Sequence, residues 1–262
     1  MGKTPLNFWL EGDGPSFFYK FRDISEFTRR IIVQNELYFG SAEDFNDPFD
    51  FLPIFTMKAD RKSLQRYLEN IVPNKTRAER RKFAARIISD PDFPEYEKQA
   101  MAVAQAELDK VRRSSGLFCL SSRPEHMLLW SHYANSHRGI ALRFRPEKGD
   151  GFFERACQVT YQRAREKLNF VLHDTMTLHK LGLLTKADFW SYENEWRIVA
   201  EPGSKGGHEF PVASLDGIIL GAKISEEDER KVREWVSNSG RHVEWMRAKV
   251  HDEEFRLDII PC

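Results

Sequence analysis

Trp190-Ser191-Tyr192-Glu193-Asn194-Glu195-Trp196-Arg197-Ile198-Val199 reads as the start of a strand. Successive strand side chains point to opposite faces, which puts Trp196, Ile198 and Ala200 on an apolar face and Glu193, Glu195 and Arg197 on the other. Two carboxylates on one side repel and gain nothing for folding. They either face open water, where the repulsion is screened, or line a cleft with a chemical use for them.

Earlier strands surround this one. Phe17, Tyr19 and Phe21 alternate with Phe18, Lys20 and Arg22. A short helix carrying Phe27, Ile31 and Ile32 follows, with Ser25 as its cap, and Leu37 to Phe39 form a second strand. Gly116 to Leu120 form another, ending at Ser121 and Ser122, and Pro124 opens a helix through Trp130 and Tyr133. In Gly139 to Arg145, Ile140, Leu142 and Phe144 point inward and Ala141, Arg143 and Arg145 outward, a half-buried strand. A helix is expected from about Arg163 to Trp190. Strands follow at Trp196 to Ala200, Gly217 to Leu220 and Phe255 to Ile260, with a helix capped at Ser225 before the last. The turn-forming Phe45-Asn46-Asp47-Pro48-Phe49-Asp50 is a structured loop.

From Asp60 to Arg113 the pattern is helical, with Leu64, Leu68 and Ile71 on one stripe and a capping box at Thr76 and Glu79. The run Arg77, Arg80, Arg81, Lys82 and Arg86 is either a solvated helix face or a patch for phosphate or an acidic partner. Without repeats or a Gly/Ser linker, the economical organisation is a single α+β domain, 1–262, with a helical insertion at about 60–113. No glycine-rich phosphate loop appears; Gly149-Asp150-Gly151 lacks a third glycine.

Composition sets the outer limits. The 262 residues carry 40 Lys plus Arg against 40 Asp plus Glu, so no global field draws the chain to nucleic acid or an anionic membrane. No segment has the roughly 18 to 20 uncharged apolar residues of a bilayer span, and Met1 to Pro5 lack a signal-peptide run, giving the expectation of a cytoplasmic protein. Cys119, Cys157 and Cys262 are odd in number and far apart, so they read as reduced thiols; none has an evident histidine partner that would make it a nucleophile. His132 and His137 lack a third ligand, so no metal is expected. His132 reads as a hydrogen-bonding residue in or near the core or, with Trp130 and Tyr133, as a wall against which a nicotinamide or adenine ring stacks.

Arg22, Ser121 and the Glu193/Glu195 pair stand at three strand ends. A guanidinium suits a diphosphate, a hydroxyl can brace a neighbouring strand, and a carboxylate can stabilise positive charge on a sugar ring. Together these are the parts needed to break the nicotinamide–ribose bond of NAD.

Tyr19-Lys20-Phe21-Arg22, Leu37-Tyr38-Phe39-Gly40-Ser41, the Phe45 to Asp50 loop, Phe118-Cys119-Leu120-Ser121, Met127 to Ala134 and Trp190 to Arg197 together resemble the bacterial domain-of-unknown-function 2971 family. The order arginine, serine, Glu-x-Glu also resembles the Arg-Ser-Glu class of ADP-ribosyltransferases. That resemblance implies a mixed, split β-sheet clamping NAD. Arg22 would bind the diphosphate or ribose, Ser121 would hold the middle-strand position, Glu195 would be catalytic and Glu193 would orient the acceptor. It further implies a transferase, or an NAD glycohydrolase, passing ADP-ribose to an unknown protein, nucleic-acid or other acceptor. The setting would be bacterial toxin action or phage defence, with an antitoxin or immunity partner. The alternatives are a non-catalytic module that binds nucleic acid or protein through the basic helical run, and a hydrolase using Glu193 and Glu195 as an acid and base pair.

Overall fold

The computed structural model describes residues 14–147, 149 and 151–262; Met1 to Pro5 and Asp150 lie outside them. In chain order the elements are β1 (Phe18–Arg22), α1 (Glu26–Gln34), β2 (Glu36–Phe39), β3 (Ile54–Thr56), α2 (Arg61–Asn70), α3 (Arg77–Ile88), α4 (Phe93–Ser114) and β4 (Ser115–Ser121). Then come α5 (Met127–Tyr133), β5 (Ile140–Phe144), β6 (Cys157–Gln158), β7 (Thr160–Gln162), β8 (Lys167–Asn169), α6 (Thr175–Leu183) and β9 (Thr185–Ala187). The chain closes with β10 (Glu195–Pro202), β11 (Gly206–Glu209), β12 (Leu215–Leu220), α7 (Glu226–Ser239), β13 (Glu244–Val250) and β14 (Leu257–Pro261). The fold is α+β, organised as two compact units.

Of the described residues, the first unit comprises 14–44, Ser114–Tyr161 and Asp188–Cys262. Its frame is a mixed eight-stranded sheet in the order β14-β13-β12-β5-β1-β4-β10-β6, antiparallel throughout except for the parallel β12 and β13. One face carries Phe18, Phe118, Leu142, Ile198 and Ile218, covered by Ile31 and Ile32 of α1 and Val232 and Val236 of α7. The other carries Phe21, Ala141, Ile219 and Met246 beneath Leu129 and Trp130 of α5. Each large apolar side chain so buried contributes about 1.5–3 kcal/mol to folding. Because both faces are covered, all five residues of β5 are buried, Arg143 included. The half-buried strand expected at Gly139 to Arg145 is therefore corrected for β5 itself: α5 covers Ala141, and Asp216, Glu244 and the Phe17 ring close in Arg143, while Arg145 beyond the strand stays exposed.

Short-range chemistry sets the helix ends. Ser225 accepts a hydrogen bond from the Asp228 amide at the start of α7, and Gly240 closes it in a left-handed conformation at φ 68°. At α1, Ser25 occupies the cap position, but its hydroxyl donates to Asp23 at 2.9 Å rather than capping the helix.

The second unit comprises Phe45–Arg113 and Gln162–Ala187. Leu64, Leu68 and Ala84 of the α2–α3 hairpin pack with Met57, Phe93 and Phe170. The Thr76/Glu79 capping box forms in full at the start of α3. β3 pairs in parallel with β8, and Asp50 forms a buried ion pair with Lys186 at 3.9 Å. The long helix expected from Arg163 to Trp190 is broken up. Lys167–Asn169 leaves helical geometry to pair with Ile54–Thr56, Asp174 starts α6 by accepting from the Thr177 amide, and a 3₁₀ segment spans Asp188–Glu193.

Candidate functional site

The site lies in the first unit, at the centre of its sheet. Register pairing aligns Glu195 of β10 with Ser121 of β4, and Ser121 with Tyr19 of β1. Residues directly opposite in neighbouring strands share a face, so the three form a row across three adjacent strands. The β1–β4 junction consists of that Tyr19/Ser121 pair alone, whereas β1 and β5 pair over five positions. Among the described residues no further pair joins the two halves of the sheet.

Glu193 and Glu195 are each 4% exposed, so they neither face open water nor share a regular strand face. The reading of both on one strand is corrected: Glu193 ends the 3₁₀ segment, Asn194 turns the chain at φ 44°, and β10 begins only at Glu195. Arg197, wholly buried, donates from Nε to Glu195 Oε1 at 2.7 Å and from Nη2 to Oε2 at 3.1 Å. A buried carboxylate needs such a counter-ion, because an unpaired one would cost several kcal/mol in lost hydration. The Glu193 carboxylate accepts from the Tyr133 hydroxyl at 2.6 Å.

Ser121 braces the turn rather than opening into a cleft. Its hydroxyl donates to the Glu193 carbonyl at 2.6 Å and accepts from the Arg123 amide at 3.1 Å. Asn194 Nδ2 donates to Ser122 Oγ at 2.7 Å, and the Glu195 amide donates to the Tyr161 hydroxyl at 2.7 Å. The serines at the end of β4 thus fix the backbone that presents both glutamates.

Two groups flank it: Cys119, on the same face of β4 as Ser121, and Lys20, on the face of β1 that Arg22 shares. Lys20 donates to the Cys119 carbonyl at 2.8 Å and lies 4.8 Å from the centroid of the Phe118 ring. Burial, aided by the Arg22 charge, holds its ammonium below the ordinary lysine range, against the opposing effect of Cys119 and the weaker ones of Glu195 and Glu193. Burial, reinforced by the Glu195 carboxylate, pushes the Cys119 thiol far above its ordinary value, so no thiolate nucleophile forms there. Nothing local in the sequence distinguishes Lys20, since its environment comes from a strand about a hundred residues away.

Arg22 stands apart. It pairs in register with Ile140, on the α1/α7 side of the sheet, while Tyr19, Ser121 and Glu195 face the α5 side. Three residues along a strand reverse the side-chain direction, so Arg22 and Glu195 project from opposite faces. The expected convergence of guanidinium and carboxylate is not formed. Arg22 lines a small recess with Phe27, Arg30, Tyr38 and Phe118, and its Nε is buried without a hydrogen-bond partner among the described residues.

Of the ring-stacking candidates, Trp130 is wholly buried, with Nε1 donating to the Pro124 carbonyl at 2.7 Å and its ring edge-on to Phe21. It has no face open to a ligand. His132 is exposed rather than in the core, at 6.1 Å between ring centroids from Tyr133. Only Tyr133, partly buried, reaches the glutamates directly. Among the described residues no group of three or more His, Cys, Asp or Glu could hold a metal ion, and no helix is long and apolar enough to cross a membrane.

These features define an α+β protein whose central sheet encloses a glutamate pair held by arginine, tyrosine and serine. Residues 129–198 match the model of a protein family of unknown function (DUF2971). The matched stretch contains Tyr133, Glu193, Glu195 and Arg197 and excludes Arg22, Tyr19 and Ser121. No curated protein and no solved structure matches the chain.

Proposed function

We propose that the protein cleaves the nicotinamide–ribose bond of NAD, acting as an ADP-ribosyltransferase or an NAD glycohydrolase. The observation that carries this reading is the row of Glu195, Ser121 and Tyr19 across three central strands, with Glu193 fixed beside it by the Ser121 hydroxyl and by Tyr133. It preserves the serine and glutamate positions that the resemblance to the Arg-Ser-Glu transferases implies, on adjacent strands of a sheet whose halves share one pair. Arg22 has no part in this reading.

In the reaction the bond from ribose C1′ to the nicotinamide nitrogen breaks, and nicotinamide leaves with the electron pair, which neutralises its ring. The acceptor oxygen or nitrogen bonds to C1′ and releases its proton. Positive charge develops on the ribose in between, and a preorganised carboxylate lowers the energy of that state. Glu195 has that role and Glu193 orients the acceptor, which is a protein, a nucleic acid or water. Action as a bacterial toxin or in phage defence, with an antitoxin or immunity partner, would be the corresponding biological role.

The test is incubation with NAD labelled in its adenylate part, with cell lysate as the acceptor source. Nicotinamide release from the wild type, reduced about a hundredfold or more in Glu195→Gln and Glu193→Gln samples shown to be folded at the assay temperature, supports the reading. Absence of release from the wild type, or equal release from the folded variants, overturns it.

A further inference from the structure

The second unit presents a charge imbalance that the NAD reading does not use. Residues 58–88, which include the α2–α3 hairpin, hold ten Lys or Arg against three carboxylates, a net charge of +7 in a chain whose total is zero. All three carboxylates are engaged locally. Asp60 caps α2 through the amides of Lys62 and Ser63, Glu79 closes the capping box with Thr76, and Glu69 accepts from Gln65 at 2.9 Å. None of the ten cations has an ion-pair partner among the described residues.

Other helices of the same chain pair their cations: Arg29 with Glu26 in α1, Lys110 with Glu107 in α4, Arg233 with Glu229 in α7. The hairpin does the reverse. Lys62/Arg66, Arg77/Arg81 and Lys82/Arg86 are like-charge pairs one turn apart, and all six residues are exposed. Each such pair destabilises its helix by like-charge repulsion, which a polyanion bound across the helices would turn into attraction.

We infer that the α2–α3 hairpin binds the phosphate backbone of a nucleic acid, without reading its sequence. Arg77 to Arg86 extend about 13 Å along α3, the length of roughly four phosphates along one strand of a duplex. An anionic membrane fits less well. Ile71 is the one large apolar side chain of residues 58–88 that is strongly exposed, too little to anchor the hairpin in lipid.

The inference is independent of NAD chemistry, and its test uses the full-length protein without NAD. Polarisation of a fluorescein-labelled 25-base-pair duplex and of the matching single strand is titrated between 50 and 300 mM salt. Poly-glutamate and phosphatidylserine vesicles serve as competing probes. Binding of duplex or single strand should weaken steeply with salt, and the quadruple variant Arg77→Gln, Arg81→Gln, Lys82→Gln, Arg86→Gln should flatten the log–log slope by about 3 to 4. Since all four side chains are exposed and unpaired and two like-charge contacts are relieved, circular dichroism should not change and the unfolding midpoint should not fall. The inference is overturned by no oligonucleotide binding at 50 mM salt, by binding unaltered in the folded variant, or by variant-sensitive binding confined to vesicles or poly-glutamate.

Discussion

Arg197 grips both carboxylate oxygens of Glu195 across two positions of one strand, at 2.7 and 3.1 Å, with neither side chain more than 5% exposed. Removing one partner leaves the other buried without its bidentate counter-ion. Arg197→Ala should therefore lower stability by about 3–5 kcal/mol, and Glu195→Gln by less, since the amide oxygen still accepts from the guanidinium. The double replacement Glu195→Leu with Arg197→Met should recover much of the loss. Urea midpoints at constant m-value check this; equal losses in the double variant and in Arg197→Ala would show that the pair's charge is not what matters there.

Tyr133 holds Glu193 from α5. Tyr133→Phe removes the donor but keeps the ring, and the buried carboxylate oxygen loses a partner, at an expected cost of about 1–3 kcal/mol. Urea unfolding of this variant beside Ser121→Ala, which frees the Glu193 carbonyl, separates the two anchors of the turn. A loss under about 0.5 kcal/mol for Tyr133→Phe would mean that another partner satisfies the oxygen instead.

Gly139 sits where strand ends crowd together. A Cβ there would collide with the Arg22 carbonyl, and one on Gly221 would collide with the His137 carbonyl; in both cases the obstacle is backbone. Gly139→Ala should cost at least about 1–3 kcal/mol through forced backbone movement. Gly240→Ala, at φ 68° with nothing near its added methyl group, should cost only the left-handed strain of about 1–2 kcal/mol. Thermal unfolding of the two variants, with Gly240→Ala the milder, checks the ordering.

Stability should also fall on the acid side of neutrality. Burial, helped by Arg123 at His126 and by Lys223 at His137, holds both imidazoles below the ordinary histidine value. The folded state therefore binds fewer protons than the unfolded chain. The contribution is fully present above the unfolded value of about 6.5 and is lost as pH falls through the lower folded values. His137→Asn, tolerated at the left-handed φ of 68°, should flatten the melting-temperature profile between pH 5 and 7. An unchanged profile would place the acid sensitivity elsewhere.

Local chemistry was legible in the residues themselves. The Thr76/Glu79 box, the Ser225 cap, the strand–helix–strand opening and the strand beginning beside Glu195 all depend on neighbours within a few positions, where side-chain type and spacing decide the outcome. The oddity of two glutamates beside Asn194 was also visible, since like charges so close require a reason. β13 was equally legible, since Met246, Ala248 and Val250 alternate with Arg247 and Lys249 at a strand's period of two, but its parallel pairing with β12 and antiparallel pairing with β14 follow only from the tertiary structure.

Tertiary structure alone decided which of these residues meet. Whether Ser121 lies between Tyr19 and Glu195, whether Arg143 is buried, and whether Arg22 faces toward the glutamates or away from them all follow from strand order and register. These are set by contacts between segments up to 126 residues apart, as between Phe18 and Phe144. Side chains reverse face at every position, so a guanidinium one residue off in register moves to the other side of the sheet, and no local pattern records which side it takes.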